Sequence, residues 1–255
     1  MEKKNGIGCR VCHYQEIDST NIQARRLAEE GAPHGSVIVA EAQTAGRGRH
    51  GRSWVSEPGS GLWFSLLLRP DYLPDRASMV TLVAAMAVTK GIRRITGQPA
   101  EIKWPNDVVL EGKKVCGILT ELNARIERIN YIIVGIGINI RRQQFPPELR
   151  EKATSLEQDQ ELQIDRNLLL EAVLEEFELY YGQFLQRLDV SLFQEEYEQL
   201  LVNRNRQVQV LDPAGDYQGI ARGINEKGEL LVECGQGLVR VNAGEVSVRG
   251  IYGYT

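Results

Sequence analysis

A loop rich in glycine and arginine is the segment of this sequence whose residue types most clearly suggest chemistry. Residues 46–54 read GRGRHGRSW, so that glycines alternate with arginines ahead of a tryptophan. Glycine lets a backbone approach a ligand closely, and each arginine offers a fork of donors to a carboxylate or a phosphate. The segment therefore predicts a loop that closes over an anionic small molecule, with a solvent-exposed basic loop as the alternative.

A second group of polar residues surrounds a predicted hairpin. Residues 103–107 read KWPND, and residues 111–114 are predicted to form the hairpin turn. Lys103 and Lys114 could face one cleft across this hairpin, and Asp107 could hold Mg²⁺, which prefers carboxylate, water and phosphate oxygens. An ordinary exposed hairpin with lysines near its turn remains the alternative, and for Lys113 it is the preferred interpretation.

Two further segments have both a structural and a functional interpretation. Residues 18–21, DSTN, are favoured as a helix cap, although the N-terminus of a helix also offers free N–H groups to a polar ligand. Residues 135–139, GIGIN, end a predicted strand whose glycines indicate that something packs close to the backbone. Asn139 could hydrogen-bond a sugar or a phosphate, but tight strand packing explains the pattern equally well.

Hydrophobic periodicity places these segments in a mixed α and β domain. The predicted strands are residues 10–15, 36–41, 62–69, 101–104, 107–110, 115–122 and 131–140. The predicted helices are residues 19–30, 77–95 and 192–201, together with one that begins near Asp165. The glycine- and arginine-rich loop therefore lies between two good strands.

The C-terminal part of the chain has a different pattern. Short strands separated by turn residues are predicted at 207–211, 219–224, 230–233, 237–241 and 246–249. Such closely spaced short strands predict a small β-barrel of SH3-like size. We place the domain boundary near residue 203, which gives a larger domain of residues 1–203 and a C-terminal domain of residues 204–255.

The composition is that of an ordinary globular protein, with 42% hydrophobic and 25% charged residues in a chain of 255. The net charge of −4 argues against a general nucleic-acid binder, because neutralising phosphates requires a cationic surface. No apolar signal region follows the N-terminus, and the longest nearly apolar run, residues 79–89, is shorter than the roughly 20 residues of a membrane span. We therefore expect a soluble, cytoplasmic protein without disulfides.

Taken in their order along the chain, these segments resemble the biotin protein ligase family, also called biotin–[acetyl-CoA-carboxylase] ligases. The matching stretches are DSTN at 18–21, EAQTAGRGRHGR at 41–52, KWPND at 103–107, Lys114 with GIL at 117–119, and GIGIN at 135–139. The resemblance covers nearly the whole chain. It implies an α+β fold, in which a mixed-sheet catalytic domain of the class II aminoacyl-tRNA-synthetase type is followed by a small C-terminal SH3-like β-barrel.

The resemblance implies a two-step reaction that consumes ATP. The carboxylate of biotin attacks the α-phosphate of ATP to give biotinyl-5′-AMP and pyrophosphate, and a lysine amine of a carrier protein then takes the biotinyl group. Lys114 would bridge the biotin carboxylate and the α-phosphate, Lys103 would contact phosphates, and Asp107 would hold Mg²⁺. Lys114, Arg49 and Lys103 are thus the expected catalytic residues.

The resemblance also implies a binding site for biotin and ATP. Its residues would be Ser19, Thr20, Asn21, Gln43, Gly46, Arg47, Gly48, Arg49, Arg52, Trp54, Lys114, Gly117 and Asn139. Trp54 would lie near the adenine, and the backbone at residues 47–49 would close over biotin. His50 stands where the family often has arginine, which slightly lowers the charge of the loop.

The implied partners are biotin, ATP and a biotin carboxyl carrier protein, a subunit of acetyl-CoA carboxylase. Some family members carry an N-terminal DNA-binding domain, but here the catalytic pattern begins within about the first twenty residues. We therefore expect no operator binding, and no membrane partner. A homodimer formed through an exposed sheet edge is a further expectation, with residues 131–140 as the candidate strand.

Two other functions remain open at this point. A lipoate–protein ligase shares the fold and the adenylate chemistry, although its family carries a different glycine-rich loop with paired arginines that is missing here. A non-catalytic binder would be either an RNA-binding module that uses the loop or a biotin sensor. The net acidity argues against RNA, and a pure sensor would not need Lys103, Lys114 and Asp107 together.

Overall fold

A seven-stranded mixed sheet forms the larger part of the computed structural model, which describes residues 6–158, 162–212, 215–235, 237–243 and 247–250. Its strands are β1 (Arg10–Ile17), β2 (Ser36–Gln43), β3 (Gly61–Leu68), β4 (Glu101–Lys103), β5 (Asp107–Leu110), β6 (Lys113–Arg125) and β7 (Arg128–Asn139). They lie in the order β1-β2-β3-β7-β6-β5-β4. Only β1 and β2 pair in parallel among the neighbours of this described sheet, so the predicted mixed sheet is confirmed.

All the predicted helices are present. They are α1 (Thr20–Glu29), α2 (Val80–Thr96), α3 (Arg166–Arg187) and α4 (Gln194–Leu200). A 3₁₀ turn at Pro74–Met79 precedes α2, so the regular helix begins slightly later than predicted. The described part of the chain contains no helix with both the length and the apolar character needed to cross a bilayer.

The sheet buries side chains on both of its faces because successive residues of a strand point to opposite sides. In β2, Val37 and Val39 join the main core beneath α2 and α3, whereas Ile38 joins a second cluster beneath α1. Ala24 and Leu27 supply the apolar side of α1 to this second cluster. The three resulting layers fix the start of α1 against the carboxyl end of β2.

The β5–β6 hairpin differs from its predicted form. Leu110 pairs with Lys113, so the turn consists of Glu111 and Gly112 alone, with φ of 51° and 76°. Two left-handed residues make the tight turn whose twist suits a hairpin. Lys113 and Lys114 therefore belong to β6, and the four-residue turn predicted over 111–114 was wrong.

The prediction that residues 131–140 form an exposed sheet edge was also wrong. All of this segment except Ile140 belongs to β7, which lies between β3 and β6 in the sheet. From Tyr131 to the end of β7 every residue is buried, as expected of a central strand with both faces covered. The edge strands of the described sheet are β1 and β4 instead.

The C-terminal strands form a separate antiparallel sheet in the order β11-β10-β9-β8-β12. They are β8 (Gln207–Leu211), β9 (Tyr217–Ile224), β10 (Leu230–Cys234), β11 (Gly237–Val241) and β12 (Ser247–Gly250), and the predicted residue 246 lies outside the described residues. The SH3-like size is as predicted, but in the described residues β11 and β12 do not pair, so the sheet is open rather than a closed barrel. Hydrophobic periodicity finds strands but does not report the tilt and stagger that closure requires.

Contacts join the two sheets across the predicted boundary. The indole of Trp104 donates to the carbonyl oxygen of Gly228 over 3.0 Å, and the side chain of Gln194 donates to the carbonyl oxygen of Ile224 over 2.7 Å. Apolar residues of both parts belong to one continuous core cluster. The boundary near residue 203 stays a prediction, because the packing itself does not mark a division there.

Candidate functional site

A cleft opens where the end of β2, the start of α1 and the middle of β6 and β7 meet the glycine- and arginine-rich loop. Of the residues predicted to bind ligand, the cleft is lined by Ser19, Thr20, Asn21, Gln43, Arg47, Gly48, Arg49, Trp54, Lys114 and Gly117. It is also lined by Asn106, Ile118, Leu119, Gly135, Ile136 and Gly137. Segments that are far apart in the sequence therefore share one cavity.

The remaining predicted residues lie around the cleft and do not line it. Gly46 accepts the backbone N–H of Trp54, and the carbonyl oxygen of Arg52 accepts the backbone N–H of Gly48. Asn139 is buried and donates its amide to the carbonyl oxygen of Thr154 over 3.0 Å. These contacts shape the loop and the wall of the cleft.

The last two predicted residues lie at the ends of paired strands. Lys103 is buried at the end of β4, where its backbone pairs with that of Asp107 in β5. The carboxylate of Asp107 forms an ion pair with Lys114 Nζ over 2.6 Å. The hairpin thus brings one lysine to the cleft wall and places the other in the strand beside it.

The inner end of the cleft consists of polar side chains held by the protein itself, of which Thr20 and Asn21 are buried and Gln43 is half-buried. Gln43 Oε1 accepts from the backbone N–H of Thr20 over 2.8 Å and from the Thr20 hydroxyl over 3.2 Å. Gln43 Nε2 donates to the hydroxyl of Ser56 over 2.7 Å. On the opposite side, Asn21 Oδ1 accepts from the buried hydroxyl of Ser65 over 2.7 Å. We call Thr20, Asn21 and Gln43 the inner polar group.

Glycines on β6 and β7 make room for the side chains that line the cleft. A Cβ at Gly135 would overlap Asn21 Oδ1, and one at Gly137 would lie 2.7 Å from the Trp54 indole nitrogen. A Cβ at Gly117 would lie 2.7 Å from the Trp54 ring and 3.0 Å from Lys114 Nζ. The close backbone packing predicted for residues 135–139 is therefore present.

The outer end of the cleft carries cations. Lys114 Nζ lies 5.2 Å from the centre of the Trp54 ring. Arg49 donates one guanidinium nitrogen to Asn106 Oδ1 over 2.8 Å and the other to the carbonyl oxygen of Ala243, in the C-terminal part, over 2.7 Å. Burial lowers the pKa of Arg49 from its usual value, an effect that the nearby Asp107 carboxylate opposes. An arginine nevertheless keeps its charge at neutral pH.

The loop at residues 46–54 is anchored by backbone contacts between its two arms and by the side chain of Arg49. Its backbone bridges at Arg47 and Ser53, and a single 3₁₀ turn spans Arg49–Gly51. His50 in that turn adopts φ of 55°, a left-handed conformation. The side chain of Arg47 is 47% exposed and lies 3.5 Å from Glu121. Loops of this kind, anchored at their bases, can close over a ligand.

The chemistry of the cation end allows one mode of binding for Mg²⁺. No cluster of three or more metal-ligating side chains occurs among the described residues. Mg²⁺ is often held by one or two carboxylates together with substrate phosphates and water. The carboxylate of Asp107 already faces Lys114 at the cleft. Asp107 therefore fits the role of the one protein ligand of a Mg²⁺ ion that binds together with a nucleotide.

Sequence reasoning missed two polar residues of the site. Asn106 links Arg49 to β6, because its amide also donates to the carbonyl oxygen of Ile118 over 3.0 Å. Glu121 contacts Asn21, Arg25 and Arg47 from the adjoining part of β6. Asn106 lies inside the KWPND segment and could have been named, whereas nothing local distinguishes Glu121 from any other charged strand residue.

Comparison with known proteins relates this architecture to enzymes. Residues 14–139 match the biotin/lipoate A/B protein ligase family, and residues 205–249 match the biotin protein ligase C terminal domain. The bifunctional ligase/repressor BirA of Bacillus subtilis is 38% identical over 96% of this chain and 76% of its own length. The chain belongs to the biotin protein ligase family.

Other biotin protein ligases share both sequence and fold with this chain. A biotin–[acetyl-CoA-carboxylase] ligase of Mycobacterium tuberculosis is 35% identical over 91% of this chain and 86% of its own. The biotin protein ligase of Aquifex aeolicus in complex with biotin and ATP superposes with a TM-score of 0.84, at 33% identity, over 94% of this chain and 99% of its own. The predicted α+β biotin-ligase fold is confirmed.

Proposed function

We propose that this chain forms biotinyl-5′-AMP from biotin and ATP and transfers the biotinyl group to a lysine of a biotin carboxyl carrier protein. One observation carries the proposal: a single cleft is lined both by the inner polar group, where Asn21 packs at Gly135, and by Lys114, which packs at Gly117 further along the paired strands β6 and β7. Biotin has a cyclic urea at one end and a carboxylate at the other. The substrate and the cleft therefore match in polarity along their lengths.

The hydrogen bonds of the inner polar group leave the atoms that a cyclic urea needs. Both N–H bonds of Asn21 are used, towards Leu119 and Glu121, so the amide offers the cleft an oxygen lone pair. The Thr20 hydroxyl donates to Gln43 and likewise presents lone pairs. The second N–H of Gln43 has no partner in the part of the chain that the structure describes. Two acceptors and one donor complement the two N–H groups and the carbonyl of a urea.

The cation end is suited to the adenylation step. A biotin carboxylate oxygen attacks the α-phosphorus of ATP, forming an O–P bond while pyrophosphate leaves. The two anions repel each other, and oriented cations in a partly buried site lower the barrier by neutralising the charge that accumulates. Lys114 lies at the wall of the cleft, where its ammonium group can neutralise this charge, and its ion pair with Asp107 orients that group.

The other predicted groups have supporting roles. Mg²⁺, bound by Asp107 and the phosphates, would supply further charge neutralisation. Trp54 would stack near the adenine above the glycines of β6 and β7. Lys103 would assist with phosphates, and Asn139 would hold the wall on which the nucleotide lies. Arg49 would hold the adenylate from the outer end.

The transfer step needs no nucleophile from the enzyme. The amine of the acceptor lysine attacks the acyl carbon of the adenylate, an amide bond forms, and AMP leaves with the electron pair of the broken C–O bond. The loop at residues 46–54 would cover the adenylate and exclude water that competes with the amine. A closed loop thus protects the intermediate until the carrier arrives.

Biotin-dependent exchange of pyrophosphate into ATP tests this function. We expect exchange with biotin and none with lipoate, followed by labelling of a carrier domain. Exchange driven by lipoate would instead identify a lipoate–protein ligase. Biotin binding without exchange would identify a sensor, and a folded protein that ignores biotin at micromolar concentrations would overturn the proposal.

The setting of the enzyme is proposed on separate grounds. We propose a cytoplasmic enzyme, because Cys9, Cys12, Cys116 and Cys234 all carry free thiols. We propose that it binds no operator DNA, which the net charge of −4 supports. A homodimer through an edge strand such as β1 is the remaining proposal. A mobility-shift assay with operator DNA tests the absence of DNA binding, and sedimentation velocity tests the homodimer.

A further inference from the structure

A single carboxylate joins the inner polar group to the glycine- and arginine-rich loop. Glu121 lies on β6, just beyond the residues that line the cleft, and its side chain is 23% exposed. Its Oε2 accepts from Asn21 Nδ2 over 2.7 Å. Its Oε1 lies 3.5 Å from Arg47 and 3.1 Å from Arg25. The carboxylate therefore contacts both the inner polar group and the loop without lining the cleft.

We propose that Glu121 is a positioning residue that couples the orientation of Asn21 to the placement of Arg47, and hence biotin binding to loop closure. The inference rests on the proposed ligase function. Asn21 can present its oxygen to biotin only while both of its N–H bonds have acceptors elsewhere. Ser65 holds the amide oxygen of Asn21 over 2.7 Å, and on the amino group the bond to Glu121, at 2.7 Å, is the shorter of the two, the other being 3.3 Å to Leu119.

The second oxygen of Glu121 acts on the loop. Arg47 extends from the loop towards β6, and its attraction to Glu121 holds this part of the loop against the mouth of the cleft. The Arg47 side chain is 47% exposed, so this ion pair adds little to the stability of the fold. Loss of the ion pair between Arg47 and Glu121 should therefore change the position of the loop and leave the stability of the fold almost unchanged.

A carboxylate is required because the two contacts both need an acceptor. Glu121→Gln keeps the size of the side chain but leaves one acceptor oxygen and one amino group. The amino group must then face either the N–H bonds of Asn21 or the guanidinium of Arg47, so one contact is lost in any orientation. Arg25→Gln is the matched control, since it removes the other arginine on Oε1 and leaves both coupled contacts in place.

The test measures biotin-dependent pyrophosphate exchange and trypsin cleavage within residues 46–53. For Glu121→Gln we expect the KM for biotin to rise about tenfold, because one charge-assisted hydrogen bond is lost. We expect kcat to change by less than about threefold. Cleavage in the presence of saturating biotin should be faster than in the wild type. Arg25→Gln should stay within about twofold of the wild type in both measurements.

The outcomes separate the inference from the proposed function. A wild-type protein without exchange would defeat the function itself. A wild type that exchanges, with Glu121→Gln unchanged in KM and cleavage, would overturn the coupling alone, as would equal effects of Glu121→Gln and Arg25→Gln. If Glu121→Gln fails to fold, Arg47→Gln replaces it, with cleavage measured after Arg49 and Arg52 because the variant lacks the trypsin site at residue 47, and an unchanged KM together with unchanged cleavage at these two sites would equally refute the coupling.

Discussion

The inner end of the cleft and the loop at its mouth differ in how far the protein itself fixes their side chains. Ser19, Thr20 and Asn21 are 2%, 4% and 3% exposed, and they lie where α1 begins against the end of β2. Arg47 and His50 lie on a loop with a single short turn, and the side chain of Arg47 is 47% exposed. The first region is buried within the packed domain, whereas the second is a more exposed loop held by a few backbone contacts and by Arg49.

This difference predicts that the inner end and the loop contribute to binding in different ways. Groups already held in place lose little conformational freedom on binding, so their contacts contribute directly to affinity. A loop must be ordered when it closes, and part of its interaction energy is offset by that cost. The inner end should therefore govern recognition of biotin, and the loop should govern how long the adenylate is retained.

The largest effect is expected at the cation end of the cleft, from Lys114→Ala. Removing the ammonium that faces the cleft should slow adenylate formation about 100- to 1000-fold, because a preorganised charge is lost from the reacting groups. Pyrophosphate exchange at saturating biotin measures it. Lys113→Ala is the matched control, since the neighbouring Lys113 pairs with Glu151 outside the cleft. Normal exchange by Lys114→Ala would remove that lysine from the mechanism.

Arg49→Ala should affect the loop end without affecting recognition. The guanidinium contacts Asn106 and Ala243 and carries the charge that would hold the adenylate. We expect release of biotinyl-5′-AMP to accelerate about 10- to 100-fold, the value of one or two charge-assisted bonds. Trapping of released adenylate measures this, while the dissociation constant of biotin alone should barely change. A large loss of biotin affinity instead would contradict the division between the regions.

Gly135→Ala tests the rigidity of the inner end. The added methyl group would overlap Asn21 Oδ1, whose amide is held in place by Ser65. Because this region cannot adjust easily, we expect the dissociation constant of biotin to rise about tenfold or more. Gly182→Ala on α3 is the control, as its Cβ would meet nothing within 4 Å. Calorimetry that finds unchanged affinity for Gly135→Ala would show that the inner end can move.

The secondary structure was largely predictable because it depends on local periodicity. β8 was predicted at its observed bounds, and β3 was displaced by one residue. The length of the β5–β6 turn was not predictable in this way. It depends on Glu111 and Gly112 both adopting a left-handed backbone conformation, which the local sequence pattern does not reveal. Nor was the central position of β7, which is set by pairing with β3 and β6 rather than by its own sequence.

The candidate site was predictable only in its chemical residue types. Glycines and arginines between strands, and lysines beside a hairpin, point to an anion, and the structure gathers most of them in one cleft; their roles stay predictions. Glu121 could not be found in this way, because its partner Asn21 lies 100 residues away. Asn139 shows the opposite case. Its amide was predicted to bind ligand, but in the structure it donates to the carbonyl oxygen of Thr154 in the wall of the cleft.

The smallest effect is expected at His50, the exposed residue that lowers the charge of the loop. Its backbone has φ of 55°, which histidine and arginine both adopt at a cost, so His50→Arg changes the charge more than the conformation. An added exposed cation contributes less than about 1 kcal/mol, and release of the adenylate should therefore slow by less than about fivefold. The measurement is the same trapping assay, with His50→Gln as the uncharged control. A much larger gain would mean that the closed loop buries residue 50, and the contrast between a preformed inner end and a solvent-exposed loop would then hold only before closure.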